Sequence, residues 1–206
     1  MKTPTIHLYH NDLPDGLTFT GAVAVDSEAM GLNPHRDRLC VVQLSAGDGV
    51  CHLVKFAKGV SQAPNLKRLM EDANVVKIFH YARFDIMLLK AALGIHVNPL
   101  FCTKIASKLA RTYTDGHGYK NVCKELAGVE ISKEQQSSDW GADTLSEDQL
   151  VYAATDVLYL HEVREKLIRM LAREGRLELA QHCFEFLPTR AALDLEGWMD
   201  QDIFAH

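Results

Sequence analysis

Three short stretches place acids where a folded chain could turn them to chemistry. Asp26 and Glu28 end the apolar run that begins at Gly21. Residues two apart in an extended chain share a face, so both carboxylates point the same way, behind Ala22 and Ala24, while Val23 and Val25 face the core. Asp85 closes the run His80–Asp85 (HYARFD), where an apolar strand passes into a helix. Phe84 can anchor that turn while Asp85 projects from the first helical turn, a position that favours acids. Tyr152 and Asp156 flank Ala-Ala-Thr in an apolar helical stretch, so they share one helix face, and the alanines allow a close approach to a sheet. Taken singly, each has an ordinary explanation: a solvated strand end, compensation of a helix dipole, a surface pair. Together, four acids on three elements suit oxygen ligation of hard divalent cations. Crowded carboxylates flanked by core-forming residues repel one another unless positive charge joins them.

Basic residues form two further groups. Lys104, Lys108 and Arg111 share a helical face at i, i+4 and i+7, with Tyr113 and His117 close behind. Such a stripe beside aromatic groups can hold substrate phosphates, and it can equally be a solvated face. Arg36 and Arg38 make the second group.

The elements that must position these residues follow from apolar patterning. Strands are expected at Gly21–Asp26, Leu39–Ser45, Val50–Phe56, Val75–His80 and near Leu100–Cys102, with Ala46–Gly49 (AGDG) as a hairpin turn. Helices are expected at Pro64–Glu71, at Ala82–Leu93 ended by Gly94, and at Thr103–Arg111. Beyond Gly118 the pattern reads as helical almost throughout, with one long helix from the capping box at Ser146–Gln149 towards Arg173. A meander of strands followed by alternating helices and strands describes an α/β domain with a mixed sheet flanked by helices.

Composition narrows the class. The 206 residues suit one domain, with a catalytic core at about 20–175 and a helical, apolar tail at about 176–206. An apolar fraction of 47% and a charged fraction of 24% are ordinary for a globular protein. No run approaches the roughly 18–20 apolar residues of a membrane span, and the N-terminal stretch lacks an export signal, so the cytoplasm is expected. Five scattered cysteines without a CxxC pair read as reduced thiols, and His7 and His10 without an HExxH make no zinc site. A net charge of −5 argues against gripping long duplexes by basicity and fits a short substrate held by local cations. The tail carries Phe184, Phe186, Leu187, Leu193, Leu195, Trp198, Ile203 and Phe204, an apolar surface that its own domain or another subunit must cover.

The order DxE, HxxxFD and YxxxD resembles the exonuclease motifs of the DEDD superfamily. The tyrosine places the resemblance in the DEDDy branch, with ribonuclease D, over roughly Gly21–Glu165. Asp139-Trp140 in QQSSDW also looks like ribonuclease D. Over almost the whole chain, PHRDRLCVVQLS, FCTKIASKLARTYTDGHG, QQSSDW and the ending FLPTRAALDLEGW…DIFAH resemble the nano-RNase C family. Ser27 stands where threonine is usual in that family.

The resemblance implies a ribonuclease H-like fold and a 3′→5′ exoribonuclease with two Mg²⁺ or Mn²⁺ ions. It implies that Asp26 bridges both ions, that Glu28 and Asp156 complete the first, that Asp85 supports the second, and that Tyr152 aligns the attacking water. It also implies a base-separating wedge at Leu32, reached through Met30 and Gly31, with His80 and Phe84 in the substrate pocket. Expected substrates are short single-stranded RNA, above all 5′-phosphorylated dinucleotides, and the expected assembly is an octameric ring. The alternatives are trimming of longer RNA or DNA 3′ ends, and an inactive nucleic-acid-binding scaffold.

Overall fold

The computed structural model describes residues 4–132 and 134–205. The last residue of the terminal DIFAH run lies outside them, as do the first three of the N-terminal stretch. Six strands, β1 (Thr5–His10), β2 (Gly21–Ala29), β3 (Leu39–Ser45), β4 (Val50–Lys55), β5 (Val75–Phe79) and β6 (Leu100–Cys102), form one sheet. Their spatial order is β1-β4-β3-β2-β5-β6, with β3 antiparallel to both neighbours and the other pairings parallel. This is the mixed sheet that the alternation of elements predicts. The hairpin between β3 and β4 turns at Gly47 and Gly49, both with positive φ.

Strand β2 runs through the middle of the sheet and is longer than its apolar run. Val23, Ala24 and Val25 are all wholly buried, so both faces of the strand are covered and the division into an open alanine face and a core valine face does not hold. Helices pack on both sides, α5 (Glu147–Leu158) and α6 (Leu160–Arg173) among those touching β2. The other helices are α1 (Pro64–Glu71), α2 (Ala82–Leu93), α3 (Thr103–Ala110), α4 (Tyr119–Leu126) and α7 (Leu177–Leu193), the last leading into a π-helical turn at Asp194–Trp198.

Three differences from the sequence reading have physical causes. Strand β1 is unforeseen because its alternation is blurred by His7, Tyr9 and His10; it is held by parallel pairing with β4, which sequence does not display. The single long helix is two helices broken at Tyr159 (φ −103, ψ −2). Helix α5 lies across β3, β4 and β2, whereas α6 packs on α3, so the chain must change direction there. His161, just past the break, points its Nε2 at the Ser45 carbonyl, 3.0 Å away. Between α4 and α5 the described residues form turns and bends rather than helix, starting at Gly128 with φ +69.

The tail docks on its own chain through α7. Phe184 and Leu187 are buried, and Phe184 packs on Phe101 with ring centroids 4.7 Å apart. Arg83 on α2 grips Asp194 through Nε at 2.5 Å and Nη2 at 2.8 Å, and also donates to the Met199 carbonyl. Phe186, Trp198, Ile203 and Phe204 stay exposed. Among the described residues, no helix is long and apolar enough to cross a membrane.

Candidate active site

The end of β2 supplies the first two acids. Asp26 and Glu28 alternate with Ser27 along the strand, which closes at a register shift between Glu28 and Ala29. Helix α5 brings the third. Its start is set by the Ser146–Gln149 capping box, and Ala153 and Ala154 are wholly buried, letting the helix lie close to the sheet. Carboxylate oxygens of Asp26, Glu28 and Asp156 consequently lie within 4.8 Å of one another. Such a hard oxygen donor set, gathered at one point, fits a divalent cation such as Mg²⁺ or Mn²⁺.

Asp85 stands apart from this trio. It occupies the first turn of α2, is 3% exposed, and its Oδ1 accepts a 2.6 Å hydrogen bond from the Ser27 hydroxyl. Ser27 stands between Asp26 and Glu28 on β2 and lines the same cleft, so the residue between the two strand acids holds the fourth.

Charge crowding shows in the ionisation of these groups. Burial raises Asp26 to about 7, against the lowering effect of the Ser27 backbone N–H. Burial, then the charges of Asp26, Asp156 and Asp85, raises Glu28 to about 10. Asp85 is pushed well above the usual carboxylate range by burial and by Asp26. Tyr152, one helical turn from Asp156, is likewise pushed up, by burial first and then by Asp156, Glu28 and Asp26. Its phenol therefore keeps its proton and is a hydrogen-bond donor at neutral pH.

The acids open into a cleft of about 710 Å³, lined by Asp26, Glu28, Tyr152 and Asp156 together with Met30, Gly31, Leu32, His80, Phe84 and Lys104. Leu32 is 79% exposed, so it is a protruding side chain and no core leucine. A Cβ on Gly31 behind it would lie 2.3 Å from Asp37 Oδ2, so a larger residue there would displace the carboxylate that accepts from the Asn33 N–H. His80 is oriented by Thr103, whose Oγ1 lies 2.9 Å from Nδ1.

The basic stripe divides. Lys104 reaches the cleft, with its ammonium 3.9 Å from the centre of the Tyr81 ring. Lys108 is exposed outside the lining. Helix α3 ends at Ala110, so Arg111 leaves the helical face and is 1% exposed, paired with Glu125 and bonded to Ser107 and the Gly116 carbonyl. Tyr113 donates to the same Glu125. Arg36 is paired with Asp37, and Arg38 donates to the carbonyls of Phe56 and Gly141.

Other lining residues escaped sequence reasoning. Tyr81 enters α2 with a left-handed φ of 71°, uncommon for a bulky residue and a mark of functional positions. Tyr119 and Lys120 begin α4, and 131–138 supplies Ile131, Ser132, Gln136, Ser137 and Ser138. Trp140, signalled only by its resemblance to ribonuclease D, packs on Tyr152 at 5.9 Å between ring centroids.

Residues 11–172 match the family model described as 3′-5′ exonuclease. Ribonuclease D of Gluconacetobacter diazotrophicus is 39% identical over 156 residues, 76% of this chain and 39% of that protein. The chain thus spans about two fifths of the length of the curated relatives it matches. The structure of Brucella melitensis NrnC, or nano-RNase C, is 56% identical with a TM-score of 0.95 over 98% of both chains. That protein has also been solved bound to pGG, and with Mg²⁺. Escherichia coli RNase D, 24% identical with a TM-score of 0.74 over 88% of this chain and 48% of its own, shares the fold. The chain belongs to the 3′-5′ exonuclease family, in its ribonuclease D-like branch alongside nano-RNase C.

Proposed function

We propose that the chain is a 3′→5′ exoribonuclease that binds two Mg²⁺ or Mn²⁺ ions and cuts short RNA, above all 5′-phosphorylated dinucleotides, into 5′-mononucleotides. The observation that carries this is the meeting of Asp26, Glu28 and Asp156 within 4.8 Å, one helical turn from Tyr152 in an open cleft. Asp26, Glu28 and Asp156 are the ligands of one ion. Asp85, turned towards Ser27, serves the second from its buried position. Bound divalent cations supply Lewis-acid activation of water and charge neutralisation at the phosphate.

The chain's own residues do the rest. Tyr152, kept protonated by its surroundings, donates a hydrogen bond that orients the attacking oxygen, and Trp140 fixes the ring. Leu32 and Met30 form an apolar lip that separates bases without reading them. Lys104 and Lys120, the cations of the lining among the described residues, face the phosphates. Arg111 and Tyr113 act indirectly, by shaping the segment that follows α3, and Lys108 adds positive charge on the exposed face of that helix.

The short-substrate reading is supported by the size of the cleft and by the pGG bound to the Brucella protein. The whole chain acts as one cytoplasmic exonuclease unit, with the α7 segment docked on the core. The exposed Phe186, Trp198, Ile203 and Phe204 are the surface for assembly into a closed homo-oligomer. The ribonuclease D relatives give a competing reading, trimming of longer 3′ ends. Turnover of 5′-labelled RNAs of two to about ten nucleotides separates them. A kcat/KM at least about tenfold higher for the dinucleotide is expected, and no length preference would leave only the trimming activity.

A further inference from the structure

Gln43 lies in the middle of β3, and its side chain is wholly buried. Its neighbours Val41, Val42 and Leu44 are equally buried and apolar. The strand register sets Gln43 opposite Asp26, and side chains of paired residues project to the same face and meet. The amide Nε2 donates to Asp26 Oδ2 at 3.3 Å. The other amide atom, Oε1, is buried and accepts no hydrogen bond among the described residues. On the far side, Gln43 pairs with Leu53, whose side chain has no polar atom to offer it.

A buried amide that is half satisfied is a poor choice for packing. A methionine or leucine would fill the same space in an apolar strand without stranding a carbonyl. The bond that Gln43 does make is to the acid at the centre of the candidate metal site. We propose that Gln43 is a positioning residue for that site: its amide N–H holds Oδ2 of Asp26 and so sets the plane in which the carboxylate presents its remaining lone pairs to cations. The inference rests on the metal-site reading above. Hydrogen-bonded partners of ligating carboxylates act in this way on metal affinity more than on folding.

The test uses Gln43→Met and Gln43→Leu in the full chain. Mn²⁺ is titrated with two readouts, the thermal midpoint of the substrate-free protein and turnover of a 5′-phosphorylated dinucleotide. The expected result is a metal-free Tm equal to or above that of the wild type. The half-effective Mn²⁺ concentration should rise about tenfold or more in both readouts, with kcat recovered to within about threefold at saturating Mn²⁺. A metal-free Tm several degrees lower with an unchanged Mn²⁺ midpoint would make Gln43 a structural residue and overturn the proposal. Unchanged midpoints in both variants would overturn it too, while leaving the metal site standing. A wild-type Tm that does not respond to Mn²⁺ removes the metal site and this inference together.

Discussion

At the scale of single residues, the site is defined by acids that resist ionisation until positive charge arrives. Asp26 rises from 3.8 to about 7 and Glu28 from 4.5 to about 10. In the metal-free protein the folded state keeps these protons over a pH range where the unfolded chain has released them. Stability should therefore fall as pH rises from ordinary carboxylate values through this window. Differential scanning measurements should show the metal-free Tm dropping between about pH 5 and pH 8, with saturating Mn²⁺ removing most of the drop. A flat metal-free profile would contradict the crowding of charge. Asp26→Asn removes one of the repelling carboxylates and should raise the metal-free Tm while reducing hydrolysis below detection. Retained turnover would show that Asp26 is no ligand.

At the scale of elements, each acid depends on where its strand or helix stops. Asp26 and Glu28 face one way because β2 stays extended to its bulge, and Tyr152 and Asp156 face the sheet because the capping box fixes the start of α5. The end of α3 decides the fate of the basic stripe. Arg111 falls just beyond Ala110 and becomes the buried tie of the 112–118 segment through Glu125, Ser107 and Gly116. Arg111→Ala should therefore act on stability, by about 2 kcal/mol given the half-exposed partner Glu125, with little change in KM for a dinucleotide. Lys104→Ala should do the reverse, raising KM with the Tm held. An Arg111 variant with a normal Tm and a raised KM would return that residue to the substrate.

At the scale of the whole molecule, an ion-paired knot adds to the α7 packing and fastens the tail beside the candidate site. Arg83 lies two residues before Asp85 and holds Asp194 and the Met199 carbonyl, and Arg190 joins Asp194 at 3.0 Å. Arg83→Ala leaves the buried Asp194 with one cation instead of two. Amide hydrogen exchange across 194–204 should then quicken by about tenfold or more while β2 and β3 stay protected. Unchanged protection of the tail would show that α7 packing and Arg190, which bonds Asp194 and the carbonyls of Trp198, Met199 and Gln201, suffice to hold it. Light scattering on the same variant reads the assembly state, which should fall if the exposed aromatics of the tail form the interface.

The sequence by itself determined the exonuclease family, the spacing of its candidate acids and most of the framework. Acid spacing in DxE and YxxxD follows from the periods of strand and helix, and local signals such as Gly94 and the Ser146–Gln149 box mark real helix ends. These are properties of short stretches, so they are legible without contacts. Only tertiary structure decided which groups meet. It joined Asp156 to Asp26 and Glu28, turned Asp85 to Ser27, placed Gln43 beneath Asp26, and withdrew Arg111 from the stripe. It also paired β1 with β4 and broke the long helix at Tyr159. Those outcomes depend on register and packing between segments distant in the chain, and no local pattern of residue types encodes them.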